Sequence, residues 1–285
     1  MFLPTFIPMV KWILIAFFFS FLITRKVWPQ NSMDHFPKGA ASIGMGNASV
    51  TLSDPWAVFN NIGALGKAEE TIQAFAGYDH RLGLNELTTV SAGLVIPTNK
   101  IGNLGIGVSN FGGTLFNQQQ IGLGIANQLG LASLGLKISY FQTNIEGFGR
   151  SARPVIELGG TAELLPGLFF GAHAYNLTRA AISQASSDYL PTTVKAGISY
   201  RPSENILVNF EAEKELLSPA QFKAGVAYSF QQKLWARTGI NTQPNNLFFG
   251  IGFKPRRYQI DYALSRNFLL GFTHHFSFTY NLSAP

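Results

Sequence analysis

From Thr71 to the C-terminus the chain alternates apolar and polar residues, and the alternation is punctuated by glycine, proline and asparagine. A period of two belongs to strands, whose successive side chains point to opposite faces. Phe222, Ala224, Val226, Tyr228 and Phe230 share one face of such a segment, and Gln221, Lys223, Gly225, Ala227, Ser229 and Gln231 share the other. The last segment repeats the pattern. Phe272, His274, Phe276, Phe278, Tyr280 and Leu282 stand opposite Gly271, Thr273, His275, Ser277, Thr279 and Asn281. One face is nearly all aliphatic or aromatic, while the more polar face also carries the glycines. A water-soluble β-sandwich turns its polar, charged face outwards, so this polarity favours a barrel with lipid outside and a polar lumen within.

The alternation predicts strands over residues 71–80, 86–96, 102–111, 119–128, 132–145, 153–164 and 167–178. Seven more fall over residues 192–201, 205–215, 220–231, 233–243, 246–255, 257–265 and 268–282. The total is even, as in single-chain bacterial outer-membrane barrels. With the N-terminus in the periplasm, the short turns at 97–100, 165–168, 202–205, 231–233 and 255–256 are periplasmic. The longest connection, 179–191, is then on the outer side. The expected fold class is all-β: a 14-stranded antiparallel transmembrane β-barrel with a short N-terminal plug segment, resident in a bacterial outer membrane and in contact with its lipid.

The N-terminus departs from this pattern. Residues 12–24 (WILIAFFFSFLIT) are apolar and follow Lys11, which predicts a signal peptide over residues 1–30. A hatch over residues 31–69 and the barrel over residues 70–285 complete the expected organisation. After the leader no apolar run approaches the roughly 20 residues a membrane-spanning helix needs. Composition agrees, because 13% charged residues are too few to cover a water-facing surface. With no cysteine in the chain, disulfides and thiolate chemistry are excluded. Setting aside Lys11, Arg25 and Lys26 leaves 18 basic against 15 acidic residues, a net +3 spread thinly. A nucleic-acid partner is therefore not expected.

Residues 42–66 do not alternate. Ser53 or Asp54 can cap a helix with Pro55 at its first position, Trp56 to Asn61 as a short helical turn and Gly63 as its stop. The apolar Trp56, Val58 and Phe59 need cover, and a barrel of this size has room for it. The run Gly44-Met45-Gly46-Asn47-Ala48, then Asp54, then Trp56-Ala57-Val58-Phe59-Asn60-Asn61-Ile62-Gly63 resembles the N-terminal hatch of the FadL and PorV/PorQ-like outer-membrane proteins. Ile62 stands where the family pattern has proline, and Ala64 is additional. The resemblance implies a plug made by Gly44, Met45, Gly46, Asn47, Asp54, Trp56, Phe59, Asn60, Asn61 and Gly63. It also implies two functions. PorV-like members are associated with type IX protein secretion in the Bacteroidota, where the barrel docks machinery or cargo, whereas FadL-like members pass hydrophobic compounds. The short hatch and loops favour an accessory or docking barrel, with other outer-membrane or secretion proteins as partners. A FadL-like channel for small hydrophobic compounds is the alternative.

Candidate chemistry changes this picture little. His275 and Ser277 share a strand face and could serve acyl hydrolysis, but spacing names no acidic or oxyanion partner, so a polar lumen wall is the plainer reading. Gly105, Gly107, Gly112 and Gly113 lack the following helix of a phosphate loop and read as glycines that relieve crowding. The five histidines lack metal-ligand spacing. No enzyme activity, cofactor or metal is expected. The charges on the polar face have mixed signs, whereas selective pores present rings of one sign. Across the turn at 202–205, parity places Arg201 opposite Leu207, Ser199 opposite Asn209, Gly197 opposite Glu211 and Lys195 opposite Glu213, and the next hairpin sets Lys223 opposite Glu211.

Overall fold

The computed structural model describes residues 36–69, 71–98, 101–180 and 189–282; the expected leader lies outside them. Fourteen strands run β1 (Gln73–Arg81), β2 (Thr88–Thr98), β3 (Gly102–Gly112), β4 (Phe116–Leu129), β5 (Ala132–Ile145), β6 (Gly149–Leu165) and β7 (Leu168–Tyr175). After the longest connection come β8 (Thr193–Ser203), β9 (Ile206–Glu215), β10 (Gln221–Phe230), β11 (Leu234–Thr242), β12 (Asn245–Phe253), β13 (Tyr258–Asn267) and β14 (Gly271–Asn281). Each pairs antiparallel with its sequence neighbours, and β1 pairs with β14, so the sheet closes and has no edge. The strand count and order are those the alternation predicts. Differences are confined to strand ends. β6 begins at Gly149 because its ladder with β5 continues to the Ile145–Gly149 pair. β14 begins late because the Asn267 side chain accepts from the backbone N–H groups of Leu269 and Leu270, which turns the chain first.

The face assignment follows the alternation. Phe222, Val226, Tyr228, Phe276 and Phe278 point outwards and are exposed, while Lys223, Ser229, His275 and Ser277 point inwards and are buried. The outward face carries a continuous belt that includes Ile121, Leu123, Ile138, Phe210, Phe249 and Ile251. An apolar area this extensive is not stable against water and is covered by lipid hydrocarbon. His274 also lies outside, with its Nδ1 2.7 Å from the Tyr262 hydroxyl. No helix among the described residues is long and apolar enough to cross a membrane. The crossing is made by the strands, and the molecule is an outer-membrane type β-barrel.

The expected register holds at Ser199–Asn209, Gly197–Glu211, Lys195–Glu213 and Lys223–Glu211. It fails at Arg201. The β8–β9 ladder shifts between Tyr200 and Ser203, and the Arg201 N–H donates instead to the Gly167 carbonyl on the other side, at 2.8 Å. Arg201 is exposed at this end of β8, its guanidinium 5.3 Å from the centroid of the inward-facing Phe169 ring.

Within the barrel the N-terminal segment forms α1 (Ala40–Gly44), α2 (Ala57–Asn60) and a 3-10 helix over Ile62–Lys67. The largest apolar core joins these to the wall: Trp56, Val58, Ile62 and Leu65 pack with Phe75 of β1 and Val95 of β2.

Candidate functional site: the filled lumen

The lumen segment begins with α1, five residues that sequence periodicity is too short to register. Its small residues Ala40, Ala41, Ser42 and Gly44 allow it to lie directly on β12 and β13, with Ala40 and Ile43 against Phe248 and Ala263. The chain then reverses through Gly46 and Asn47, both in the left-handed region, at φ 71° and 64°. Glycine adopts that region freely and asparagine more readily than most residues. Here the backbone passes so close to the wall that a Cβ on Gly46 would press into the backbone of Ala224 and Ile240.

The cap expected from Ser53 or Asp54 is built differently. Asp54 Oδ1 accepts from the Trp56 N–H at 3.0 Å, an Asx turn that introduces α2 rather than a side-chain cap of it, and the residue at the N-cap is Trp56. Gly63 is not a stop. It lies inside the 3-10 helix, whose N-cap Asn61 accepts from the Gly63 N–H at 3.1 Å. Glycine is required there because its Cα faces the Gly159–Gly160 backbone of β6 with no space for a side chain.

Polar side chains of the wall hold this segment by its backbone. Glu211 Oε2 accepts from the N–H groups of Ser49 and Val50, both at 2.8 Å. Asn209 donates to the Ala48 carbonyl, Ser133 to the Gly63 carbonyl and Asn103 to the Leu65 carbonyl. Ser277 Oγ accepts from the Ala40 N–H at 3.1 Å. Within the segment, Asn60 accepts from the Lys38 N–H and returns a bond to the Lys38 carbonyl. Asn61 reaches from the segment to the wall at the Gly160 carbonyl. Backbone groups that would otherwise be stranded in a dry lumen are thereby paired.

Many glycines of the inward face share one geometric reason. Gly77 faces Trp56, Gly105 faces Val58 and Leu65, Gly124 and Gly135 face Ile62, and Gly197 faces Val50. Gly225 and Gly239 face Met45 and Gly46, and Gly250 faces Gly44. A side chain at any of them would meet the segment within its van der Waals surface. The inner wall is therefore a mould of the segment it holds. Of the residues the resemblance places in a plug, Gly44, Met45, Gly46, Trp56, Asn60, Asn61 and Gly63 are packed in this mould. Phe59 is partly buried against the same core, with the Lys137 ammonium 5.3 Å from its ring centroid. Asn47 is buried at the reversal, and Asp54 lies near the periplasmic mouth beside Glu69 and Lys254.

The inward charges form short clusters of mixed sign. Lys223 bridges Glu211 and Glu213, and Lys195 approaches Glu213 at 3.7 Å. Lys137 pairs with Glu157, which also meets His173 at 3.3 Å. Arg237 pairs with Asp261 at 2.7 Å. Each cluster holds both signs, so among the described residues no ring of one charge lines the lumen. On one side of the outer rim several inward positions are apolar. Phe111, Phe141, Val155 and Tyr175 line the wall there, and Ala180 and Leu190 of the outer connection pack on the last three. Their inward direction is visible in the alternation. Their grouping above the plug depends on strand stagger and was not.

No protein-family model matches the chain, and no curated protein does. Among solved structures the fold is similar to a monoaromatic hydrocarbon channel, CymD, with TM-score 0.62 and 15% identity over 89% of this chain and 100% of that one. It is similar also to the Pseudomonas putida toluene transporter TodX, with TM-score 0.63 and 13% identity over 88% of this chain and 100% of that one. The Acinetobacter baumannii outer membrane protein Omp33 shares the barrel more loosely, with TM-score 0.51 and 9% identity over 75% of this chain and 99% of that one. At these identities the likeness is one of fold.

Proposed function

We propose that the chain is a channel for small hydrophobic compounds across the outer membrane, with residues 38–67 as its plug. The observation that carries this reading is an apolar patch on one side of the outer lumen wall, formed by Phe141, Val155 and Tyr175 and packed by Ala180 and Leu190. Such a patch gives a hydrophobic solute a place to leave water. Two solved structures similar in fold are a monoaromatic hydrocarbon channel and a toluene transporter, which supports the same solute class. The docking function, which the short hatch favoured on sequence, has no comparable support in the lumen.

The test is uptake. Cells depleted of their own channels and expressing this barrel should accumulate a radiolabelled monoaromatic compound faster than cells without it, while uptake of a disaccharide stays unchanged. Phe141→Glu with Val155→Glu should abolish the difference. Equal uptake with and without the barrel, together with a stoichiometric protein partner on purification in mild detergent, would overturn the channel in favour of docking.

A further inference from the structure

Three inward-facing residues on three adjacent strands form a hydrogen-bonded line that the channel reading does not use. Asp79 of β1 has Oδ1 2.7 Å from His275 Nδ1 of β14, and His275 Nε2 lies 3.2 Å from Ser265 Oγ of β13. All three are buried in the wall, Ser265 keeping 9% of its surface open. The barrel register produces the line. Asp79 is the direct cross-strand partner of His275, and Ser265 is displaced from it by two residues, within diagonal reach on the same face. An imidazole held by a carboxylate at one nitrogen is fixed in the tautomer whose other nitrogen accepts a proton from a hydroxyl.

We propose that Ser265, His275 and Asp79 form an acyl-ester hydrolysis site in the lumen wall. Ser265 and His275 are its catalytic residues and Asp79 is its positioning residue. Ser265 Oγ attacks the ester carbonyl while His275 Nε2 takes the hydroxyl proton. The carbon–oxygen bond to the alcohol then breaks, and His275 returns the proton to the departing alkoxide. Water attacks the acyl-serine, again giving its proton to His275, and the carboxylic acid leaves as Ser265 recovers its hydrogen. Thr273, directly across from Ser265 in the ladder, is the hydroxyl donor placed to meet the tetrahedral oxyanion. Phe248, the partner of Ser265 on the other side, and Ala263 set an apolar floor shared with α1. That surroundings suits esters with a short apolar acyl group. The pairing of His275 with Ser277 considered on sequence does not occur, because Ser277 holds the Ala40 N–H. The right serine comes from a neighbouring strand, which spacing along one strand cannot reveal.

The purified full-length barrel in detergent, its folding checked by heat-modifiable migration, is treated with an alkyl fluorophosphonate and assayed with p-nitrophenyl butyrate. Covalent labelling at Ser265 alone, located by mass spectrometry, is expected. Ser265→Ala should lose it, and His275→Gln should slow it at least about a hundredfold. Asp79→Asn should slow it and also move the pH midpoint of the labelling rate, which loss of packing alone would not do. Ser91→Ala, a buried serine elsewhere on the wall, should label as the wild type does. Folded wild-type barrel that stays unlabelled, or labels at another residue, overturns the proposal whether or not the barrel conducts.

Discussion

Glu211 on β9 lies 2.8 Å from the backbone nitrogen of Val50, so a carboxylate of the wall holds the plug by its main chain. The same carboxylate takes the ammonium of Lys223 at 2.9 Å on its other oxygen. Wall register and plug position thus meet in one side chain. Glu211→Gln keeps the size but weakens two charge-assisted bonds from N–H groups. It should cost about 1 to 3 kcal/mol, with the loss concentrated in the plug. Planar-bilayer recordings should show more frequent openings while heat-modifiable migration stays near that of the wild type.

Charge reversal separates the two roles. Lys223→Glu alone places a third carboxylate beside Glu211 and Glu213 and should lower the temperature at which the barrel band shifts on gels. Adding Glu211→Lys should recover part of that temperature, because opposite charges again face across β9 and β10. It should not recover closure, since an ammonium cannot accept from the Ser49 and Val50 N–H groups. A double variant that is as closed as the wild type would show that those bonds do not hold the plug.

The glycine mould makes a steric prediction. Gly239→Val puts a branched side chain where the backbone of Met45 and Gly46 lies, an overpacking that costs about 1 to 3 kcal/mol or more. Protease added from the periplasmic side should then cut within residues 38–67, which the wild type should protect. Gly113→Ala is the control, because its Cβ position meets only Glu86, at an ordinary contact distance of 3.7 Å.

Asp54, outside the strands, gives a pH dependence. Its carboxyl is pushed up to about 6, first by burial and then by Asp261, against the Trp56 N–H, Arg237 and Lys254. The folded plug therefore holds a proton that the released plug gives up at lower pH, so this residue's contribution to plug seating falls as pH rises from about 4 to about 6. Channel openings should become more frequent across that window, and Asp54→Asn should flatten the change. A wild-type opening frequency that is constant between pH 4 and 7 would count against it.

On the outer face the lipid sets the rule. Val226→Arg should cost roughly 2 to 4 kcal/mol and impair assembly if its depth is near the bilayer centre. Val226→Leu should be neutral, and the folded fraction in lipid vesicles measures both.

The strands were legible because lipid and lumen impose opposite demands on alternate residues, and Phe222 to Phe230 against Lys223 to Ser229 carry that contrast without tertiary knowledge. The ladder from Lys195 to Lys223 followed from parity and turn length. Arg201 escaped, because an irregularity breaks parity and leaves no mark in residue type. The Asp79–His275–Ser265 line was out of reach for a different reason. Asp79 and His275 are 196 residues apart and meet only where the last strand returns to the first. The plug was half visible. Trp56 to Asn61 read as a short helical turn stopped at Gly63, but Asn61 and Gly63 take their conformation from the wall of β6, not from neighbours in sequence.

The mould also bears on how the molecule is made. Ile62 sits between Gly124 and Gly135, and Met45 lies against Gly225 and Gly239, so bulky knobs rest in pits that bare backbone leaves on opposite arcs of the cylinder. A finished tube would offer these knobs no straight path past its own inward side chains. The plug is gripped by nearly every strand, so a wall that closes between β1 and β14 has to close with the plug already inside it, as staves close on a mandrel.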